Sequence, residues 1–217
     1  MRRAATRAIF IDALGTMLEL EPPWERIDPS AVAGLAPERV RAGFEAEMAY
    51  YRENMASASE PDSLAALRER CAGVLSESLG REVGVPTMMR SIRFRPYADA
   101  AAALAELRSR GLTLVCVSNW DCSLPEVLDR AGLQGLLDGV VTSAVAGAAK
   151  PDPAIFAPAL QIAGCSPGEA IHVGDTDEDV EAARAAGIEA LRIDRGGEAG
   201  PGEITSLAAI SHHLAPR

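Results

Sequence analysis

The sequence predicts an α/β protein: a parallel sheet covered on both faces by helices, with a helical insert near its start. Three observations predict it. From residue 112 onward, continuous apolar runs alternate with helical segments that stop at glycine. A further apolar run, "AIFI" at 8–11, has the same character but stands far upstream. The stretch between, roughly 20–95, shows helical periodicity and no strand pattern.

The first strand ends at Asp12, with Gly15-Thr16 close behind. In the insert, "LAPERVRAGFEAEMAYYRENMAS" and "PDSLAALRERCAGVLSESLG" read as long amphipathic helices. The second has Asp62 or Ser63 as N-cap and Gly80 as C-terminal stop. "PTMMRSIRF" is a shorter helix. "YADAAAALAELRSRG" (97–111) is the first helix of the returning chain. "LTLVCVS" (112–118) is the next strand, and "LPEVLDRAG" a helix ending at Gly132. "GVVTS" (139–143), "AIHVGD" (170–175) and "EALRI" (189–193) are further strands, the last closing the sheet. Between them lie helices at 152–164 and 177–187. The expected division is 1–18 with 96–217 as α/β core and 19–95 as an all-helical module.

Bulk composition excludes several functions. The 217 residues are 48% hydrophobic and 24% charged, with net charge −10. An acidic surface argues against a nucleic-acid groove or an anionic membrane as partner. No apolar run approaches the roughly 20 residues that span a bilayer. The basic opening "MRRAATRAIFID" runs into Asp12 too soon for a signal peptide. Cys71, Cys116, Cys122 and Cys165 are scattered and read as reduced core cysteines of a cytoplasmic protein. Of 21 basic residues, Lys150 alone is lysine. A compact ammonium in an otherwise arginine-only chain marks a place where a planar guanidinium does not serve.

Ligands of an open parallel sheet sit outside the carboxyl ends of its strands. Those ends carry Asp12, Ser118-Asn119, the loop leading to Lys150, and Asp175 within "GDTDED". A carboxylate nucleophile, a hydroxyl and an ammonium for phosphate oxygens, and further carboxylates for a divalent cation are the parts of phosphoryl transfer through aspartate.

Here the chain resembles the haloacid dehalogenase superfamily of hydrolases, in the branch with a helical cap inserted after the first strand. "DALGT", "VSNWD", "AAKPDPAIF" and "HVGDTDEDVEAARAAG" resemble its four motifs, in the family's order, and with the cap they span nearly the whole chain. The resemblance implies a Rossmann-like core and a small-molecule substrate. It implies Asp12 as nucleophile, with Ser118 and Lys150 holding the transferred group and Asn119 shaping that pocket. It further implies Mg²⁺ held by Asp12, the Leu14 carbonyl and Asp175. Asp179 is the second acid of that metal motif, orienting metal-bound water or Lys150.

One departure matters. The family's phosphatases usually have a second aspartate two residues after the nucleophile, as acid and base. Leu14 stands there, and such help is typically worth about 10²–10⁴ in rate. The family's 2-haloacid dehalogenases also lack that carboxylate, because a halide leaves without a proton. Their fourth motif, however, is Ser/Asn-rich, whereas this one is acidic, and crowded carboxylates without a cation would raise each other's pKa. The expected function is therefore a Mg²⁺-dependent phosphatase. The alternatives are a haloacid dehalogenase-like hydrolase and a weakly active or non-catalytic binding protein on this fold.

Other residues have plainer readings. Asp177 and Glu178 are first-turn acids of a helix. His172 is a core histidine, and His212-His213 lie at the surface. Trp24 and the "AYYRENM" aromatics are core candidates. Arg39, Arg41 and Arg52 are candidates for a substrate anion, and Asp121 and Asp177 for a displaced acid.

Overall fold

The computed structural model describes residues 5–197, 200 and 202–214; the first four residues of the basic opening segment lie outside them. In chain order the strands are β1 (Ala8–Ile11), β2 (Leu18–Glu21), β3 (Arg93–Pro96), β4 (Thr113–Ser118), β5 (Gly139–Thr142), β6 (Ala170–Gly174), β7 (Glu189–Ile193) and β8 (Glu203–Ile204). The helices are α1 (Pro23–Arg26), α2 (Pro37–Asn54), α3 (Pro61–Leu79), α4 (Val85–Ser91), α5 (Ala100–Ser109), α6 (Leu124–Arg130), α7 (Ser143–Ala146), α8 (Phe156–Ala163) and α9 (Asp177–Ala185). The chain divides into two compact units, Met1–Glu19 with Pro96–Arg217, and Leu20–Arg95.

The first unit is the α/β core. Its six-stranded sheet has the order β5-β4-β1-β6-β7-β8, parallel throughout. The early strand β1 thus lies centrally, between β4 and β6. Phe10 pairs with Val115 on one side and His172 on the other. Ala8 and Phe10 join Val115, Val117 and Val141 on one sheet face, packed by Ile155, Phe156 and Ala159 before and within α8 and by Ala182 and Ala183 of α9. Ile9 and Ile11 point the other way and are equally buried. Burial on both faces is why these strands read as unbroken apolar runs rather than alternating ones.

Local chemistry shifts several predicted boundaries. The helix expected from Tyr97 starts at Ala100, because the Tyr97 N–H donates to the Met17 carbonyl and the Asp99 carboxylate is engaged with Arg195 and the Leu207 N–H. The helix expected from 152 opens as a tight turn capped by the Asp152 side chain, and α8 proper begins at Phe156. β7 is not the last strand: the two-residue β8 pairs with it at the sheet edge, too short to register as a pattern. Cys71 and Cys116 are buried; Cys165 is half-buried and packs at the edge of the core, and Cys122 is half-buried.

The second unit is helical apart from its ends. The expectation of no strand there is corrected: β2 and β3 pair as a two-stranded ribbon where the chain leaves and re-enters this unit. "LELE" and "RFRP" are too short and too charged to stand out. α3 is capped by Glu60 rather than Asp62 or Ser63, in a reciprocal box with the Ser63 side chain, and Gly80 ends it as expected. α2 and α3 pack together, with Gly43 letting Leu75 and Leu79 come close. Glu47 of α2 is buried among them, hydrogen-bonded to Cys71, and burial pushes its carboxyl up. Among the described residues, no helix is long and apolar enough to cross a membrane.

Candidate active site

Each strand-end group is carried by the element that precedes it. Asp12 follows β1, and its N–H extends the ladder to the Val173 carbonyl at 2.9 Å. Its carboxylate is nearly buried. Ser118 closes β4, also buried. The Asn119 amide bonds the backbone of Lys150 at both ends: its Nδ2 donates to the Lys150 carbonyl at 2.9 Å, and its Oδ1 accepts from the Lys150 N–H at 2.8 Å. Asn119 thus fixes the loop from which the lysine projects.

Lys150 is 5% exposed, and its ammonium meets three acceptors. These are Asp12 Oδ1 at 2.5 Å, Asp179 Oδ1 at 2.5 Å and the Val117 carbonyl at 3.1 Å. Three N–H bonds on one tetrahedral nitrogen match three acceptors, an arrangement a planar fork does not reproduce. This gives the chain's sole lysine its reason.

Asp179 lies in the first turn of α9, where Thr176 and Asp179 cap each other reciprocally. Its Oδ2 accepts from the Thr176 hydroxyl at 2.6 Å and the Thr176 N–H at 3.1 Å. Its Oδ1 accepts from Lys150 and stands 2.9 Å from His172 Nε2. A carboxylate offers about four acceptor positions, and all are occupied. The Asp179 carboxylate lies against Gly174: a Cβ on that glycine would fall 2.1 Å from the Asp179 Cγ. Asp175, half-buried, lies as closely against Gly15, where a Cβ would fall 2.1 Å from its Oδ2.

Electrostatics divides the acids. Burial raises the Asp12 carboxyl, Lys150 only partly offsets it, and Asp179 and Asp175 add repulsion, so the group sits at about 6. Asp175 is also raised, by burial and then by Asp179. Burial would raise Asp179 too, but hydrogen bonding from His172 and the charge of Lys150 outweigh it and hold the group well below the usual carboxylate range. Burial alone would lower Lys150, but Asp12 and Asp179 keep it charged and raise it. One oxygen from each of Asp12, Asp175 and Asp179 lies within 4.8 Å of the others. Lys150 bonds Asp12 and Asp179 but not Asp175. Asp179 has no acceptor position left, so Asp12 and Asp175 are the carboxylates whose remaining oxygen positions fit a divalent cation.

The structure brings Asp12, Lys150, Asp175 and Asp179 together. Leu14 lies on the turn after β1, its side chain 40% exposed. Asp177 is exposed and pairs with Arg192 at 2.8 Å, and Asp121 accepts the Ser123 N–H at 2.7 Å. In the helical unit Arg39 donates to the Ser78 carbonyl at 3.2 Å. Arg41 pairs with Glu45 at 2.8 Å and lies over the Trp24 ring. The sequence reading missed Thr176 and His172 as partners of Asp179. The Thr176–Asp179 spacing is a capping-box signal and was available. The signal for His172 is a lone histidine in an apolar strand, two residues from Gly174 and therefore on the same face.

The topology, with reactive groups gathered at the carboxyl ends of parallel strands, is that of an α/β enzyme core. The haloacid dehalogenase-like hydrolase family model matches residues 6–187, and the chain belongs to that family. The chain is 42% identical over 120 residues to haloacid dehalogenase-like hydrolase domain-containing protein 3 of Bos taurus, covering 55% of this chain and 46% of that one. It is 39% identical over 140 residues to a phosphoserine phosphatase of Thermus thermophilus, covering 59% and 55%. It therefore spans about half the length of these curated relatives. Among solved structures, an L-2-haloacid dehalogenase from Xanthobacter autotrophicus has a TM-score of 0.72 at 22% identity, over 95% of this chain and 97% of that one. A phosphatase of the same superfamily from Thermococcus onnurineus has 0.67 at 22%, over 96% and 97%. At such identities these two describe the fold alone.

Proposed function

We propose that this hydrolase is a Mg²⁺-dependent phosphatase that moves the phosphoryl group of a small phosphorylated metabolite onto Asp12 and then to water. The observation that carries this reading is the charge balance at the strand ends. Asp12 and Asp175 are raised carboxylates beside a lysine already shared with Asp179. Asp12, Asp175 and the Leu14 carbonyl would hold the ion, with Asp179 as the second acid beside it. Bound there, the ion supplies positive charge between two anions that must meet.

The chain's own residues do the rest. An Asp12 carboxylate oxygen attacks phosphorus, and the bond to the leaving oxygen breaks with its electron pair. Ser118 would bind a phosphoryl oxygen. Lys150, whose three N–H bonds go to Asp12, Asp179 and the Val117 carbonyl, would hold the transferred group through its charge, or by exchanging its Asp12 bond for a phosphoryl oxygen as Asp12 attacks, and Asn119 holds the Lys150 loop in place. No side-chain acid at position 14 gives the leaving oxygen a proton, so leaving groups that are stable as anions depart fastest. Water then attacks the aspartyl phosphate, releasing phosphate and the Asp12 carboxylate. The phosphatase names among the curated relatives support the substrate class.

Leu14 also favours a second reading, a haloacid dehalogenase, in which Asp12 attacks carbon and halide departs unprotonated. The acidic surroundings of Asp12 weigh against it, because uncompensated carboxylates weaken a carboxylate nucleophile. The test is release of p-nitrophenol from p-nitrophenyl phosphate. Hydrolysis with Mg²⁺, lost on chelation and in Asp12→Asn, is expected. No turnover with Mg²⁺, together with halide release from a 2-haloacid, would replace the phosphatase reading.

A further inference from the structure

His172 is a buried titratable side chain that the proposed chemistry does not use. It sits on β6, 1% exposed, flanked in the sheet by Phe10 and Ala190. The edge of its ring meets Phe156, with centroids 4.9 Å apart and planes at 71°, and Phe156 stacks on Phe10. The ring is therefore clamped on several sides. Nε2 lies 2.9 Å from Asp179 Oδ1, while Nδ1 is buried without a hydrogen-bond partner. Asp179 is ionised and can only accept, so Nε2 carries the proton and Nδ1 is a bare lone pair. An Nδ1–H would leave a buried donor unsatisfied and set two lone pairs against each other.

We propose that His172 is a positioning residue. Its Nε2–H holds Asp179 Oδ1 in the rotation from which that oxygen also accepts Lys150, and so sets where the ammonium stands against Asp12. Strand geometry makes this possible. His172 and Gly174 share a face, so Asp179 lies over the missing Cβ of one and against the ring nitrogen of the other. Thr176 fixes Oδ2, and His172 fixes Oδ1. Without the histidine, Oδ1 keeps a free acceptor position, and Asp179 can turn away from Lys150.

The kinetic arm of the test rests on the phosphatase reading; the spectroscopic arm does not. The chain has three histidines, so ¹⁵N-edited imidazole spectra of the whole protein are readily assigned. A proton on Nε2 of His172 is expected, and the Nδ1–H tautomer, with Nε2 bare, would overturn the proposal. With p-nitrophenyl phosphate and Mg²⁺, His172→Leu is expected to lose about 10-fold or more in kcat with little change in KM, the scale of losses when a supporting partner is removed. His172→Gln places an amide N–H near the Nε2 position and is expected to recover most of that loss. Equal loss in both variants, or loss that follows melting temperature alone, would make His172 merely structural. A wild type that turns over no phosphate ester defeats the phosphatase reading, while the tautomer still decides the geometry.

Discussion

Two carboxylates are buried to nearly the same degree in the two units, Glu47 at 3% exposed and Asp179 at 1%. Their chemistry is opposite. Glu47 lies between helices whose backbone N–H groups are committed to the helices, and its partner is a thiol. Its carboxyl is pushed up. Asp179 stands at a strand end, beside a helix start whose N–H and capping hydroxyl are available, and collects four contacts. Its carboxyl is held down. The comparison teaches that burial alone does not decide charge; the supply of donors does. The carboxyl edge of a parallel sheet has that supply, and a helix–helix seam does not.

Breaking the strand-end cluster should have the largest effects. Asp12→Asn is expected to abolish turnover while leaving a folded protein, checked by phosphate release alongside circular dichroism. Lys150→Arg keeps the charge but not the three-way fit, and about a 100-fold fall in kcat is expected, at the upper end for loss of a supporting contact. Wild-type turnover in that variant would remove the reason given for the lone lysine. Gly174→Ala forces Asp179 away from Lys150, with roughly a 10-fold fall in kcat and a lower melting temperature expected.

The smallest effect sharpens the comparison through pH. Glu47 is raised in the folded state, so between the ordinary glutamate value of 4.5 and its folded value the native protein binds more protons than the unfolded one. Stability therefore falls as pH rises through that window. Glu47→Gln should match wild type at acid pH and exceed it above the window by a few degrees in Tm, about 1 kcal/mol for a chain of this size. Asp179, held low, has the opposite sign: its contribution is present above the ordinary aspartate value of 3.8 and is lost as pH falls. Asp179→Asn should therefore lose most relative to wild type at neutral pH. Parallel pH profiles for the two variants would contradict the comparison.

Why some of this was legible follows from the same contrast. The core strands are buried on both faces, so continuous apolar runs marked them, and the polar residue ending each run pointed to Asp12, Ser118 and Asp175. Lys150 stood out by composition. The ribbon of β2 and β3 was invisible because four-residue strands with alternating charge leave no pattern. His172 was read as core, which its burial supports, but its bond to Asp179 depends on register across α9 and β6, which no local window contains. Glu47 was hidden for the converse reason: a glutamate in a long amphipathic helix reads as a solvated face until packing covers it.

The most direct measurement of the proposed chemistry is a set of rate constants for wild type and Leu14→Asp on one aryl and one alkyl phosphate, with Mg²⁺. Leu14 is 40% exposed, so an aspartate there need not be buried in apolar surroundings. Wild type is expected to hydrolyse the aryl ester well and the alkyl ester poorly. Leu14→Asp should raise the alkyl rate by a sizeable part of the roughly 10²–10⁴ that an acid–base group supplies, and change the aryl rate far less. Equal wild-type rates on both esters, unaffected by Leu14→Asp, would contradict the claim that this site works without a proton donor.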